Sequence, residues 1–309
     1  MQTMTAFVLT DAGSGVIEAA RVPVPQVGSN ELLVRVRAVG VGIHDSYFLP
    51  PEMTFPYPIG IEGAGIVERV GPGVVGYQPG DRIAFVSMMQ AKGGVWAEYA
   101  AVSTDSLIVP IPPSMSFEQA AAVPVAGNST LRALHALPPI PAGGSVFVAG
   151  GSGAIGTFAL QLARARGWHV AASASPANHE YLRSLGAELT VDYRDPTWPE
   201  QVRGWRPDGV DGALAVQPQT TQDTALTVKS GGTVVTVSGD QAAPPGVRVT
   251  GLAYQVDVRE ELMALMDDIV AGDMTLVIEK IYPFADALSA LGKVQTRHAR
   301  GKLVLTLDQ

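Results

Sequence analysis

Along the first 120 or so residues, short apolar segments alternate with polar positions and are punctuated by glycine and proline. In residues 32–39, Val34, Val36 and Ala38 alternate with Arg35 and Arg37. A period of two turns one side chain in two inward, so the segment predicts a half-buried strand. Turn signals at Gly71-Pro72-Gly73 and from Gly76 through Gly80-Asp81 follow at close spacing. They predict a compact antiparallel β domain that curls into a partly open barrel. From about Val123 the rhythm changes to strand, helix, strand: an apolar strand at 145–150, a helix at 154–166, a strand at 169–173 and a helix at 178–185. Further strands are legible at 210–216 and 233–237. Alternating units of this kind predict a parallel, doubly wound sheet covered by helices. Helical periodicity returns at 260–269, where Leu262, Leu265, Met266 and Ile269 share a face, and at 284–294, before a last strand at 302–307.

At 309 residues the chain exceeds the size at which a single core keeps growing, so two domains are expected. Residues that are 47% hydrophobic and 16% charged can bury a substantial core. A formal net charge of −8 argues against nucleic acid as a partner, while leaving room for a local pocket for one phosphate. The chain contains no cysteine, which removes disulfides, thiolate nucleophiles, iron–sulfur clusters and cysteine-ligated zinc. The start MQTMTAFVLTDAG has neither a basic leader nor a sustained apolar run, and nowhere do 18 uncharged apolar residues follow one another. The expectation is a soluble, cytoplasmic protein without a membrane partner.

The most specific motif is the run Gly151, Ser152, Gly153, Ala154, Ile155, Gly156, a G-x-G-x-x-G set between an apolar strand and an amphipathic helix. In that context it predicts a dinucleotide site. Gly151 is expected to permit the tight turn, Gly153 to let the backbone approach a pyrophosphate, and Gly156 to let helix and strand pack closely. About 20 residues on, at the end of the next strand, an acid would favour NAD. Ser173 and Ser175 stand there with no carboxylate in the turn, so the adenosine phosphate of NADPH is tolerated. The polar partner of that phosphate is left open among Asn178, His179, Arg183, Tyr193 and Arg194.

Ordered matches extend beyond this loop. They include Phe55 through Gly65 (FPYPIGIEGAG), Val70-Gly71-Pro72-Gly73-Val74 followed by Pro79-Gly80-Asp81-Arg82-Ile83, and Gly94-Val95-Trp96-Ala97-Glu98-Tyr99. They continue in Ala120 through Gly127 (AAAVPVAG) and in the closing His298-Ala299-Arg300-Gly301-Lys302-Leu303-Val304. In these the sequence resembles the medium-chain dehydrogenase/reductase superfamily, and within it the zinc-independent quinone oxidoreductase branch that includes zeta-crystallin. The resemblance runs nearly end to end. It implies a GroES-like, partly open β-barrel catalytic domain from residues 1–122 and 260–309, and a Rossmann-type domain binding NADPH at 123–259. It places the nicotinamide in the cleft between them. It further implies that Tyr193 lies against the adenosine phosphate, that Ser129 sits near the nicotinamide-side phosphate and ribose, and that Val216, Val237 and Ser238 border the cofactor. Relatives commonly dimerise by joining edge strands, here at 247–252, so a homodimer is expected.

Zinc-dependent relatives hold the metal with a cysteine at the position of Gly42 and a histidine at that of Ile61, so the resemblance implies no metal here. His44 and Asp45 are expected at the surface or in a capping role. Without a Lewis acid the acceptor must already be electrophilic, as in a quinone or an enone. Tyr47, in an Asp-x-Tyr segment, either donates a hydrogen bond to the developing oxygen or walls the cleft. Gly42, Ile43, Ile61 and Asn128 are expected beside the substrate, with Asn128 compensating for the asparagine that relatives carry at Gly42. Met88-Met89 read as loop packing or as a plastic apolar wall. Two alternatives accompany the quinone or enone reductase reading. One is enoyl reduction on a larger acyl substrate; the other is an NADPH-binding structural or regulatory protein.

Overall fold

The computed structural model describes residues 2–11, 13, 15–87, 90–240 and 244–307. The chain packs as two compact units, residues 1–125 with 262–309, and residues 126–261. In chain order the elements begin with β1 (Thr3–Leu9), β2 (Ile17–Pro23), β3 (Glu31–Val41), β4 (Tyr57–Pro58), β5 (Glu62–Val70), β6 (Arg82–Val86), β7 (Tyr99–Ser103), β8 (Leu107–Pro110) and the short α1 (Phe117–Ala121). They continue with α2 (Pro124–Ala136), β9 (Ser145–Ala149), α3 (Ala154–Ala165), β10 (His169–Ala174), α4 (His179–Ser184), β11 (Leu189–Asp192), α5 (Trp198–Trp205), β12 (Val210–Ala215), α6 (Thr221–Ala225), β13 (Val228–Thr236) and β14 (Arg248–Thr250). Last come α7 (Arg259–Ala271), β15 (Ile278–Pro283), α8 (Ala287–Gln295) and β16 (Lys302–Thr306).

β3 organises the first unit. Val34, Val36 and Ala38 are fully buried while Arg35 and Arg37 are half-buried, as the period-two pattern requires. β5 pairs along one edge of β3, and the other edge is divided, with β7 on Glu31–Arg35 and the C-terminal β16 on Ala38–Val41. The β3–β5 register shifts twice, at Leu33/Val34 and at Val36/Ala38. Such bulges bend and twist a sheet, which lets this one curl toward a barrel. Leu32, Phe85, Trp96, Val102, Leu303 and Leu305 fill its interior, so the last strand of the chain is part of the N-terminal core. The pairing is antiparallel except for β15 with β16. A capping box between Ser116 and Gln119 starts α1.

The second unit is a six-stranded parallel sheet in the order β11-β10-β9-β12-β13-β14. β9 is buried along its whole length, with Val146 and Val148 in one cluster and Phe147 and Ala149 in another. Central parallel strands covered on both faces read as continuous apolar runs for this reason. Phe147 stacks on Trp198 of α5 with ring centroids 5.0 Å apart.

Boundaries differ from the expected ones in informative places. β13 starts at Val228, five residues before 233, because Lys229, Ser230 and Gly231 form an exposed irregularity within the strand rather than a turn ahead of it. Gly231 takes φ +77° there, and the register against β12 shifts between Val210 and Gly212. The helix expected at 284–294 opens with a 3₁₀ turn, Phe284–Asp286. The edge strand lies at Arg248–Thr250, within the expected 247–252. Among the described residues no helix is long and apolar enough to cross a membrane.

Candidate functional site

In the parallel sheet the chain runs outward from β9 through β10 to β11, then returns to the other side of β9 for β12, β13 and β14. The carboxyl ends of β9 and β12 therefore mark the switch point where open α/β sheets bind ligands. Val216 follows β12 there, its N–H donating to Ala149 O at 3.1 Å, and Val237 follows β13, its N–H donating to Ala215 O at 3.0 Å. Ser238 lies next to it, exposed.

The glycine loop sits at the same edge, and the left-handed turn belongs to Gly150, at φ +91°, rather than to Gly151 as the motif predicts. Gly151 is required for another reason: a Cβ there would lie 2.8 Å from Ala172 Cβ and 3.2 Å from Leu182, because β10 and α4 press on the loop. At Gly156 a Cβ would lie 2.3 Å from Gly150 O, so the close helix–strand contact is as expected. Gly153 differs from both. It has extended backbone at the N-cap of α3, and a Cβ there would meet only Gly150 O, at 3.9 Å. Ser152, Gly153, Ala154 and Ile155 are half-buried, and the first turn of α3 contains no acidic residue. The first-turn N–H groups of a helix lack intrahelical acceptors. An open loop over such a terminus fits a dinucleotide pyrophosphate.

The end of β10, where the motif implies an adenosine phosphate, is tied back to the glycine loop. Ser173 is buried, and its Oγ accepts from Gly150 N at 3.2 Å while its carbonyl accepts from Gly151 N at 2.9 Å. Its hydroxyl thus holds the loop to β10. Ser175, one residue past β10, is half-buried and accepts from Asn178 Nδ2 at 3.2 Å. The register Ser173↔Val191 and Ala174↔Asp192 brings Ser175 and Tyr193 to adjacent strand ends. Tyr193 is exposed, with the Arg194 guanidinium 5.9 Å from its ring centre. Arg194 also makes a two-pronged pair with Asp192, at 3.0 and 2.9 Å, which holds the Asp192 carboxyl below its ordinary range. His179 bonds through Nε2 to Ala174 O at 3.1 Å, and Arg183 is exposed on α4.

On α2, Ser129 is half-buried. The Asn128 side-chain Oδ1 accepts from Arg132 Nε at 2.7 Å, one turn on, and Arg132 also donates to the backbone carbonyls of Ala253 and Tyr254. Asn128 therefore anchors the 253–254 segment through Arg132, a role its sequence position did not signal.

In the first unit, the chain leaving β3 makes a tight turn at 42–48, with Tyr47 N and Phe48 N both donating to His44 O. Asp45 is fully buried rather than on the surface. Its carboxyl accepts from Gly42 N at 2.7 Å, Ile61 N at 3.3 Å and Trp96 Nε1 at 3.2 Å. It thereby ties together the segments carrying Gly42, Ile61 and Trp96. Burial pushes this carboxyl up to about 7, against the lowering effect of the Gly42 hydrogen bond and of Lys302. Nearby, Glu62 and Lys302 form a buried ion pair, and Glu62 also accepts from Val125 N at 2.6 Å.

His44, Tyr47 and Phe48 form an aromatic ledge. The His44 ring meets Tyr47 at 5.3 Å and Phe48 at 4.8 Å, both edge-on, while Tyr47 and Phe48 lie within 25° of parallel at 5.9 Å. Tyr47 is 55% exposed and Phe48 44%. The Tyr47 hydroxyl is 2.7 Å from His44 Nδ1. Burial, then the Lys302 and Arg297 charges, push the His44 imidazolium below its ordinary value. Ile43 and Ile61 are half-buried, whereas Met88 and Met89 lie outside the described residues. Among the described residues, no three His, Asp or Glu side chains are grouped to hold a metal ion.

Two family models match, an alcohol dehydrogenase GroES-like domain at residues 28–113 and a zinc-binding dehydrogenase at 185–305. A trans-enoyl reductase of Aspergillus flavipes is 31% identical, over 68% of this chain and 68% of its own length. A chloroplast envelope quinone oxidoreductase homolog of Arabidopsis thaliana is 28% identical, over 95% of this chain and 94% of its own. A dehydrogenase of Aspergillus niger, at 31% identity, is matched over 65% of its length, just under two thirds. The solved structure of a quinone oxidoreductase from Coxiella burnetii superposes with a TM-score of 0.88 at 26% identity, covering 99% of this chain and 100% of that one.

Proposed function

The chain belongs to the medium-chain dehydrogenase/reductase superfamily, in its quinone oxidoreductase branch, and from that premise we propose that it reduces a quinone or an enone with NADPH and without a metal. The observation that carries this reading is the aromatic ledge, where Tyr47 and Phe48 present exposed, nearly parallel rings beside a phenolic hydroxyl. A flat conjugated acceptor stacks on such a surface, with offset or edge-to-face contacts worth about 0.5–1.5 kcal/mol per ring pair.

A bound nicotinamide supplies the hydride. The Gly150–Gly156 loop and the first turn of α3 bind its pyrophosphate, and Ser175 with Tyr193 receives the adenosine phosphate, Ser173 being committed to the loop. The absence of an acid in the turn after β10 supports NADPH over NADH. The Tyr47 phenol, which desolvation holds above its ordinary value, stays protonated and donates to the oxygen on which charge develops. Asp45 keeps the segments carrying Gly42 and Ile61 in place, and neither residue offers a metal ligand. Several relatives are trans-enoyl reductases, which favours a second reading in which the acceptor is an enoyl thioester.

Following NADPH or NADH oxidation at the nicotinamide absorbance band, with benzoquinone, phenanthrenequinone, a simple enone and crotonyl-CoA in turn, tests both. Turnover of the quinones or the enone with NADPH, at least tenfold weaker with NADH, is expected (~1.4 kcal/mol). Turnover confined to the thioester would transfer the assignment to the second reading. NADPH binding without oxidation of any acceptor would refute both.

A further inference from the structure

The geometry points to His44 as a positioning residue that returns the proton to Tyr47 during turnover, a role that rests on Tyr47 being the donor to the acceptor oxygen. The two side chains are three residues apart in one turn, and their hydrogen bond, 2.7 Å between Tyr47 Oη and His44 Nδ1, is the only side-chain bond recorded for the phenol among the described residues. The turn that aligns them is fixed from below by the buried Asp45 carboxyl through Gly42 N, Ile61 N and Trp96 Nε1. A phenol alone, having given up its proton, would have to be reprotonated by whatever water reaches it. A ring nitrogen at hydrogen-bond distance provides a fixed route instead.

When hydride adds to the acceptor, the oxygen gaining the electron pair takes the Tyr47 proton, and the O–H bond of Tyr47 breaks. The phenolate oxygen then forms a new O–H bond with the proton on His44 Nδ1. As it does so the imidazole takes a proton from solvent at Nε2, and exchange with water, which removes that proton and returns one to Nδ1, restores the resting tautomer. His44 and Tyr47 end as they began, and the acceptor has gained one hydride and one solvent proton. Near neutral pH the relay runs through a mostly neutral imidazole, which takes a proton on one nitrogen as it gives one from the other; below its pKa the imidazolium supplies the proton directly. Three features keep the imidazole mostly neutral: partial burial of the ring, the Lys302 ammonium, which is itself paired with Glu62, and the Arg297 guanidinium. The charged groups facing Tyr47 are Arg297 and Asp45.

The test compares the wild type with His44→Asn, His44→Phe and Tyr47→Phe, using NADPH and phenanthrenequinone. Asparagine keeps a hydrogen-bonding atom near the Nδ1 position but cannot relay. In the wild type, kcat is expected to rise as pH falls through an apparent pKa below 6.5, where the imidazolium delivers its proton without waiting for solvent. That inflection should be lost in both His44 variants, and at pH 7 His44→Phe should lose roughly tenfold or more in kcat with KM little changed. Independently of turnover, NMR of the ligand-free protein should show one imidazole titrating below 6.5, absent in His44→Asn and with a displaced Nδ1 shift in Tyr47→Phe. If Tyr47→Phe lowers kcat but His44→Asn keeps the wild-type pH profile, the relay is wrong and the donor stands. If Tyr47→Phe leaves kcat unchanged, the donor assignment itself fails. An imidazole shift indifferent to Tyr47→Phe overturns the pairing.

Discussion

Replacing single glycines of the dinucleotide loop separates cofactor binding from packing. Gly153 has φ −80° and ψ 172°, which any L residue adopts, and its added Cβ meets nothing closer than 3.9 Å. Gly153→Ala should therefore change stability by no more than about 1 kcal/mol, the lower unfolded-chain entropy opposing a weaker N-cap. If the loop holds the pyrophosphate as proposed, the same methyl would stand between a phosphate and the amides of Ala154 and Ile155. Holding a phosphate away from one charge-assisted hydrogen bond costs about 1.5–3 kcal/mol, which is roughly a 10- to 150-fold rise in Kd for NADPH. Gly156→Ala should behave in the opposite way. Its Cβ would lie 2.3 Å from Gly150 O and 2.6 Å from Gly151 Cα, backbone atoms that cannot rotate aside. Relief by displacement should cost about 1–3 kcal/mol of stability. Fluorescence titration with NADPH, alongside thermal unfolding of the ligand-free proteins, reads the two effects. A Gly153→Ala protein with wild-type Tm and wild-type NADPH affinity would refute the assignment of this loop to the pyrophosphate. A Gly156→Ala protein as stable as wild type would refute the packing argument.

Two further predictions concern the buried charges of the first unit. The Asp45 carboxyl titrates at about 7 in the folded protein and near 4 in an unfolded chain. The folded state therefore holds the extra proton between those values, and Asp45 contributes stability that falls as pH rises from about 4 to 7 and is level beyond. Asp45→Asn cannot titrate, so the stability difference between wild type and variant should shrink by about 2–3 kcal/mol from pH 5 to pH 8 in urea unfolding; a pH-independent difference would contradict the buried titration. Lys302→Met leaves the Glu62 carboxyl 1% exposed without its cation, which should cost about 3–5 kcal/mol, whereas Glu62→Gln with Lys302→Met should recover much of the loss by denaturant melting. A double variant no better than the single would mean that the ion pair is not what the lysine provides.

Local pattern was sufficient wherever the physics is local. The period-two alternation at Val34, Val36 and Ala38 places β3 because side chains in a strand alternate faces. The continuous apolar run at Ser145–Ala149 marks a central parallel strand because both of its faces are covered. The glycine motif located the loop and the helix terminus. Spacing misassigned roles inside the motif: which glycine needs a left-handed φ depends on how the turn closes, and which must lack a side chain depends on Ala172 and Leu182, contributed by other elements.

Tertiary structure alone decided the rest, because those properties depend on residues distant in sequence. Asp45 reads as a polar turn residue until Ile61 and Trp96 close over it, and its burial is what raises its carboxyl. Lys302 opens the last strand of the sequence pattern, and only the pairing of β16 with β3 sets its ammonium against Glu62, 240 residues earlier in the chain. His44 and Tyr47 were both visible at a spacing of three. Their pairing, and the ledge they form with Phe48, required the turn at 42–48, whose shape the buried carboxyl of Asp45 imposes.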